Sequence, residues 1–212
     1  MNLYLLRHGN TFDEKFPPVW AGSKEDFPLV ARGLEQANEA ASYFKSRDLS
    51  FSKIFASPLK RTQKTAEIIK DVLEQDIEIS TSSYLNEIDY GKWGGKTNLE
   101  VKELGFEVEQ DNWNEKSSWP PNADWFPSEN KCMEEVMQFN RDLISSPSNM
   151  NKNILIVSSN GRLRYFLKLI DNEFEKRIVG KDFKMKTGAL SLVSFEASKW
   201  NLGFWNKSPA KL

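Results

Sequence analysis

An arginine and a histidine stand side by side directly after the first apolar run of the chain. Residues 3–6 are typical of a short buried strand, and Arg7-His8-Gly9 follows it. Ligand sites in α/β sheets lie beyond the carboxyl ends of strands, so this placement suits a site. A histidine there can attack phosphorus while a guanidinium grips the phosphoryl oxygens. Taken alone, the pair is equally consistent with a chance feature of a loop, because short motifs often match by accident.

Three further segments, one after another along the chain, contain residues of interest. Residues 26–37 contain Gly33 at the start of a helical pattern, residues 57–66 contain Arg61, and residues 85–97 contain Glu87. A fourth segment, residues 157–164, follows the clearest buried strand of the sequence.

Together with Arg7-His8-Gly9, these segments resemble the histidine phosphatase (phosphoglycerate mutase-like) superfamily. The resemblance runs from Leu3 to about Thr97 and resumes near Ile154. It implies that His8 becomes phosphorylated and is then hydrolysed. It implies that Arg7 and Arg61 clamp the phosphoryl group, and that Glu87 protonates the leaving oxygen and then helps to activate water. The remaining phosphate-binding residues that it implies are Asn10, Thr11, Ser159 and Asn160.

The position of Arg61 has independent physical support. Arg61 lies early in a predicted helix that follows a strand, where its charge and the nearby backbone N–H groups favour an anion. The alternative is a surface-exposed arginine paired with Glu67 or Asp71, since such pairs are common and weak.

The position of Glu87 also suits its implied role. Leu85 and Ile88 flank it and would shield the carboxyl partly from water, which favours the protonated form that an acid catalyst needs. The alternative is a solvated loop carboxylate, with Asp89 as the neighbouring candidate.

The chain departs from the family pattern at its second histidine. The family has a Ser-His-Gly-Gly type turn after its core strand, but here Ser159 stands at the histidine position and Asn160 at the first glycine. His8 is the only histidine of the chain, so no other histidine can substitute. A serine donates without charge, and hydrogen bonds between neutral groups contribute about 0.5–1.5 kcal/mol against about 1.5–3 for charged ones, so slower chemistry is expected. Arg162 either reaches the phosphate in compensation or is an exposed surface arginine.

Strands alternate with helices along the chain, which predicts an α/β fold. We expect a three-layer αβα sandwich with a mainly parallel central sheet and one domain over residues 1–212. The predicted strands cover residues 3–6, 54–56, 77–79, 153–158 and 189–195. An insertion at about residues 97–130, rich in tryptophan and proline, is expected to be helical or irregular and to lie over the active site. It either roofs the pocket and selects the substrate or packs as a small satellite core.

Composition excludes several other functions. A net charge of −1 gives no basic field for nucleic acid, and one histidine with one cysteine supplies no cluster of metal ligands. No run approaches the roughly 20 apolar residues of a membrane span. The single cysteine, Cys132, excludes an internal disulfide and favours a cytoplasmic protein. We expect no cofactor, and the oligomeric state stays open, with a homodimer as one option.

These observations favour a metal-independent phosphomonoester hydrolase that acts through a phosphohistidine on a small phosphorylated metabolite. Two alternatives stay open. One is a phosphate-binding pseudoenzyme with weak or no turnover, which Ser159 supports. The other is a phosphoglycerate mutase-type phosphotransferase, an activity that usually needs longer insertions to keep water from the phosphoenzyme. The residues do not identify the substrate.

Overall fold

A six-stranded sheet forms the centre of the molecule. The computed structural model describes the whole chain, Met1–Leu212. The strands are β1 (Asn2–Arg7), β2 (Lys53–Ala56), β3 (Ile79–Thr81), β4 (Asn153–Ser158), β5 (Leu190–Glu196) and β6 (Lys199–Lys207). Their order across the sheet is β3-β2-β4-β1-β5-β6. The pairings among β3, β2, β4 and β1 are parallel, and only β5 runs against both of its neighbours. The predicted α/β fold with a mainly parallel sheet is confirmed.

Helices cover both faces of this sheet. They are α1 (Ala31–Ser46), α2 (Lys60–Val72), α3 (Asn98–Glu103), α4 (Glu107–Lys116), α5 (Glu129–Ser145), α6 (Asn160–Leu163) and α7 (Glu173–Val179). Side chains alternate between the two faces along a strand. On β1, Leu3 and Leu5 therefore pack in a core with Val136 of α5, whereas Leu6 packs in a second core with Phe44 of α1. One core lies between the sheet and the helices on one face, and the other lies between the sheet and the helices on the opposite face. The molecule thus has the three predicted layers, helices, sheet and helices. None of the helices is both long and apolar enough to cross a membrane.

The strand predictions fail at the edges of the sheet. The strand expected at residues 77–79 lies at Ile79–Thr81, and β6 was not predicted at all. Both are edge strands with a neighbour on one side only. Most of the side chains of β6 are exposed or half-buried. The sequence therefore lacks the continuous apolar run that marks the central strands.

Residues 97–130 are largely helical. Helix α3 begins with a capping box, in which Thr97 and Glu100 satisfy each other's backbone N–H groups. Helix α4 follows, and α5 begins at the end of the segment. Six aromatic rings pack together where this segment meets the body, with neighbouring ring centroids 4.8–6.1 Å apart: Trp20, Tyr90, Trp93, Trp113, Trp119 and Trp125. The insertion thus contributes to a core, and Trp113 also lines a cavity described below.

Candidate active site

The carboxyl ends of three adjacent strands meet at one edge of the sheet. Arg7 at the end of β1 pairs with Ser158 at the end of β4, and β2 lies on the other side of β4. A cavity of about 240 Å³ opens beyond these ends. This is where α/β sheets bind ligands. Six of the predicted site residues line it: Arg7, His8, Thr11, Arg61, Glu87 and Asn160.

His8 is buried and held in one tautomer. Its Nδ1 lies 2.7 Å from the carbonyl oxygen of Gly9. A carbonyl only accepts hydrogen bonds, so Nδ1 carries the proton and Nε2 keeps its lone pair. Burial, and then the charges of Arg61 and Arg7, hold the pKa of His8 well below its ordinary value of 6.5. The imidazole is therefore neutral at neutral pH, with the lone pair of Nε2 unprotonated.

The titration of His8 is open to direct measurement, because its imidazole gives the only histidine signals in a proton–carbon NMR spectrum. We expect these signals to titrate well below pH 6.5 in the folded protein. The unfolded chain takes up this proton near pH 6.5. The folded state should therefore lose stability as the pH falls below that value, with denaturant midpoints falling in parallel. A titration at or above pH 6.5 would contradict a buried neutral imidazole.

Two glycines allow the loop that carries His8 to touch helix α1. A Cβ atom on Gly9 would lie 2.2 Å from the carbonyl oxygen of Gly33, and one on Gly33 would lie 2.1 Å from that of Asn10. One turn later, Gln36 accepts a hydrogen bond from the backbone N–H of Asn10 at 2.8 Å. The motif around Gly33 is therefore a support for the loop that carries His8. Asn10 itself uses its amide within this loop, accepting from Thr11 and donating to the carbonyl of Phe12, and it does not line the cavity.

Arg7 and Arg61 present guanidinium groups to the cavity; Arg61 is buried and Arg7 is half-buried. Arg7 donates to the carbonyl of Met185 at 2.7 Å. Arg61 donates to the carbonyls of Glu25 and Gly22 at 2.7 and 2.9 Å, which ties the segment of residues 22–25 to the start of α2. In both arginines Nε is buried and has no hydrogen-bond partner. Both guanidinium groups line the cavity and neither has an acidic partner, so their charge is available to an anionic ligand.

The N-terminus of α2 is not free for a ligand in the way that the sequence suggested. The backbone N–H of Lys60 donates to the carboxylate of Asp26 at 2.7 Å, so an anion of the chain already occupies this end. Arg61 is 1% exposed and forms no ion pair with Glu67, which pairs with Lys64 instead. Its charge, rather than the helix terminus, faces the cavity.

Glu87 is buried between two backbone donors and a tyrosine. Its Oε1 accepts from the N–H of Ile88 at 2.9 Å, and its Oε2 accepts from the N–H of Gly161 at 3.1 Å. Burial, followed by the charge of Glu87, raises the pKa of the neighbouring Tyr90 hydroxyl well above 10.0. Gly161 has no side chain because a Cβ atom there would lie 2.3 Å from Oε1 of Glu87. The carboxyl is thus held at the cavity wall.

Ser159 lies at the turn between β4 and α6 but does not line the cavity. It is 2% exposed, and its Oγ has no hydrogen-bond partner. Ser158, the preceding residue, does find a partner, the carbonyl of Leu85 at 2.6 Å, which ties β4 to the segment that carries Glu87. The position that the resemblance assigns to a second histidine therefore holds an unsatisfied buried hydroxyl.

Arg162 takes neither of the two places expected for it. It is 1% exposed and does not line the cavity. It pairs with Glu135 of α5 at 2.8 Å and donates to the carbonyl of Asn86 at 2.8 Å. Asn86 is the neighbour of Glu87 in the chain, so this hydrogen bond holds the backbone beside Glu87 from outside the cavity. Arg164, two residues later, lines the cavity instead.

Several lining residues were not singled out in the sequence. They are chiefly Trp20, Tyr90, Asn98, Trp113, Asn114 and Arg164. Trp113, Asn98 and Asn114 come from the insertion, which therefore forms part of the cavity wall. The sequence does show that this segment is rich in aromatic residues, Trp113 among them. Their spacing, however, does not indicate which ring faces the cavity and which rings pack beneath it.

The charge of the site is strongly one-sided. Three guanidinium groups, those of Arg7, Arg61 and Arg164, line the cavity against the single carboxylate of Glu87. None of the three forms an ion pair; the paired arginines are Arg32, Arg162 and Arg177. Burial lowers the pKa of each of the three, yet guanidinium stays protonated in proteins. The arrangement suits an anion. No group of three or more His, Cys, Asp or Glu side chains is placed to hold a metal ion.

Known proteins are similar to this chain in sequence and in fold. A 2,3-bisphosphoglycerate-dependent phosphoglycerate mutase of Parvibaculum lavamentivorans is 28% identical over 188 residues, which cover 88% of this chain and 87% of the mutase. The crystal structure of the alpha-ribazole phosphatase from Shigella flexneri is 26% identical, with a TM-score of 0.77 over 98% of this chain and 97% of the phosphatase.

A third likeness concerns the fold alone. A mycobacterial glucosyl-3-phosphoglycerate phosphatase in complex with VO3 is 21% identical and superposes with a TM-score of 0.82 over 98% of this chain and 99% of its own. The profile of the histidine phosphatase superfamily, branch 1, matches residues 3–208, almost the entire chain. The chain therefore belongs to the histidine phosphatase superfamily, and it places His8, Arg7, Arg61 and Glu87 around one cavity.

Proposed function

We propose that this protein hydrolyses small phosphomonoesters through a phosphohistidine formed on His8. The observation that carries the proposal is the pair of guanidinium groups, those of Arg7 and Arg61, that line the cavity without an acidic partner beside a neutral imidazole. A phosphoryl group supplies the missing negative charge, and the two guanidinium groups stabilise the charge on its oxygens in the transition state.

The first chemical step is an in-line displacement at phosphorus. Nε2 of His8 attacks with its lone pair, and the bond from phosphorus to the ester oxygen breaks as the nitrogen–phosphorus bond forms. Glu87, in its protonated form, donates its proton to the leaving oxygen, so the product leaves as a neutral alcohol.

The second step reverses these roles. The Glu87 carboxylate takes a proton from water as the water attacks phosphorus, and the nitrogen–phosphorus bond breaks. Inorganic phosphate leaves, and His8 and Glu87 return to their starting protonation states. No metal ion is needed for this sequence, because guanidinium groups supply the positive charge.

A panel of phosphomonoesters tests the proposal by phosphate release. We expect the native protein to release inorganic phosphate from short alkyl phosphates. No turnover combined with tight binding of vanadate or phosphate would support the binding protein instead. Recovery of the phosphate on a second acceptor, with none released to solution, would support the phosphotransferase.

Replacing Ser159 by histidine should raise the rate. Ser159 precedes Asn160, which lines the cavity, so a longer, cationic donor at this position would reach the phosphoryl oxygens and stabilise them better than a neutral one. Loss of one such donor costs about 10²–10³ in rate, and a newly introduced donor should recover only part of that effect, so we expect kcat to rise by about tenfold. Ser159→Gln is the matched control, since it adds size and a neutral donor without charge. An unchanged or lower rate in Ser159→His would show that the site is built around serine.

A further inference from the structure

A buried arginine outside the cavity holds the segment that carries Glu87. Arg162 is 1% exposed, and its Nε donates to the carbonyl of Asn86 at 2.8 Å. One of its Nη atoms donates to the carboxylate of Glu135 on α5 at 2.8 Å and to the carbonyl of Cys132 at 3.2 Å. Burying a charge is costly unless it is paired and hydrogen-bonded, and these bonds meet that condition. Arg162 is therefore fixed between α5 and the segment of Glu87.

The turn after β4 holds this segment at three consecutive residues, 85–87. Ser158 Oγ donates to the first carbonyl of the segment at 2.6 Å. The backbone N–H of Gly161 donates to the carboxylate of Glu87 at 3.1 Å. The bond from Arg162 falls between these two, and its donor is a charged guanidinium, which bonds more strongly than a hydroxyl. Loss of Arg162 should therefore loosen the middle of the segment.

The bonds made by Arg162 and Gly161 close a ring that contains Glu87. Gly161 and Arg162 are neighbours in the chain, and so are residues 86 and 87. One hydrogen bond joins Arg162 to the carbonyl of Asn86. The other joins the N–H of Gly161 to the Glu87 carboxylate. The two bonds restrain each other, so the position of the carboxylate depends on the arginine.

General acid catalysis makes the position of this carboxyl important. An acid must lie within hydrogen-bond reach, about 2.6–3.2 Å, of the oxygen that it protonates. A misplacement of about 1 Å costs on the order of 10²-fold in rate. Glu87 lines the cavity, whereas Arg162 does not. The effect of Arg162 on the reaction therefore passes through the placement of Glu87 and not through contact with a ligand.

We propose that Arg162, anchored by Glu135, is a positioning residue that places the carboxyl of Glu87 for proton transfer to the leaving oxygen. This rests on the proposed function, in which Glu87 is the acid. The planar guanidinium suits the role because it bonds to Asn86 with one edge and to Glu135 with another, and both bonds have fixed directions.

Two esters with different leaving groups test this role. Hydrolysis of glycerol 3-phosphate expels an alkoxide that needs a proton, whereas p-nitrophenyl phosphate expels a stable phenolate. We expect Arg162→Gln to lower kcat for glycerol 3-phosphate by about ten- to a hundredfold. Release of nitrophenolate in a single turnover, with protein in excess, should stay within about threefold of the native rate, because this step needs no acid. An equal loss with both esters, or no loss with either, overturns the positioning role.

Two further variants separate this role from general stability. Glu135→Gln removes the charge that anchors Arg162 but keeps the shape of the side chain, so it should give a smaller loss that is again confined to glycerol 3-phosphate. It tests the role independently if Arg162→Gln does not fold. Arg177→Gln is the matched control, because Arg177 pairs with Glu173 at 2.8 Å and does not line the cavity. It should change neither rate.

Hydrogen exchange tests the placement of Glu87 without turnover. The N–H of Gly161 bonds to the Glu87 carboxylate, so its exchange with deuterium, followed by NMR, reports that contact. We expect Arg162→Gln to speed exchange at Gly161 by about tenfold or more while the amides of β4 stay protected. This result supports the positioning role even if the native protein releases no phosphate, an outcome that would remove only the proposed hydrolysis. Unchanged exchange at Gly161 overturns the role, whatever the turnover.

Discussion

Replacing His8 by alanine should abolish turnover and covalent labelling together. Removal of a covalent nucleophile leaves only binding and electrostatic stabilisation, and losses of about 10⁴–10⁶-fold in kcat are typical. The structure leaves no substitute, because His8 is the only histidine and the only cysteine, Cys132, is buried with a pKa raised to about 12 by burial. The rate of phosphate release and the phosphate bound to denatured protein are the two measurements.

The chemistry of the label identifies the residue that carries it. A nitrogen–phosphorus bond on histidine is labile to acid and survives alkali, whereas a phosphoserine behaves in the opposite way. We expect the native protein, quenched in alkali, to carry acid-labile phosphate, and His8→Ala to carry none. Retained tryptophan near-ultraviolet circular dichroism would show that the variant keeps the aromatic cluster around Trp125 and Trp113. Turnover that survives in His8→Ala would mean that water attacks the phosphoryl group directly.

The fold was predictable from the sequence where strands are buried on both sides. β1 and β4 are central and parallel, so each appears as a continuous apolar run that ends in polar residues. The polar residues that follow such strands meet at one edge, which is why Arg7, His8 and Asn160 could be expected together. The edge strand β6 has few buried side chains and gives no such signal.

The choice between Arg162 and Arg164 shows where sequence reasoning fails. Residues two apart on a helical turn point in nearly opposite directions, so only one of the two can face the cavity. Which one does so depends on how α6 leaves β4 and on its change to a 3-10 helix at Arg164. Neither composition nor spacing records that turn. The structure places Arg162 against Glu135 and Arg164 against Trp113.

The glycine motif in the first turn of α1 shows what the structure adds to the sequence. Gly33 and Gln36 matched the family pattern, but spacing alone did not say what they do. The structure shows Gly33 in close approach to Gly9 and Asn10, with Gln36 bonded to the Asn10 backbone. Gln36, which lies far from His8 along the chain, therefore helps to position the loop that carries His8 through a direct hydrogen bond.

Glu87→Gln should separate the two chemical steps. The amide cannot donate the proton that an alkoxide leaving group requires, and general acid–base catalysis contributes about 10²–10⁴-fold. We therefore expect kcat for glycerol 3-phosphate to fall by about that factor. p-Nitrophenyl phosphate releases a stable phenolate that needs no acid, so His8 should still become phosphorylated with it. Hydrolysis of the phosphoenzyme, which needs Glu87 as base, should then be slow.

This difference predicts a burst of one nitrophenolate per active site, followed by slow turnover, with acid-labile phosphate accumulating on the protein. Asp89→Asn is the matched control, because Asp89 pairs with Lys24 at 2.7 Å and does not line the cavity. It should show native turnover and no burst. An equal loss of both substrates in Glu87→Gln, with no burst, would assign Glu87 a positioning role through its bonds to the N–H groups of Gly161 and Ile88. A burst would instead show that the phosphohistidine forms but is hydrolysed slowly, as expected if Glu87 is the base of the second step. Together with the loss of activity on glycerol 3-phosphate, it would assign the Glu87 carboxyl to both proton transfers.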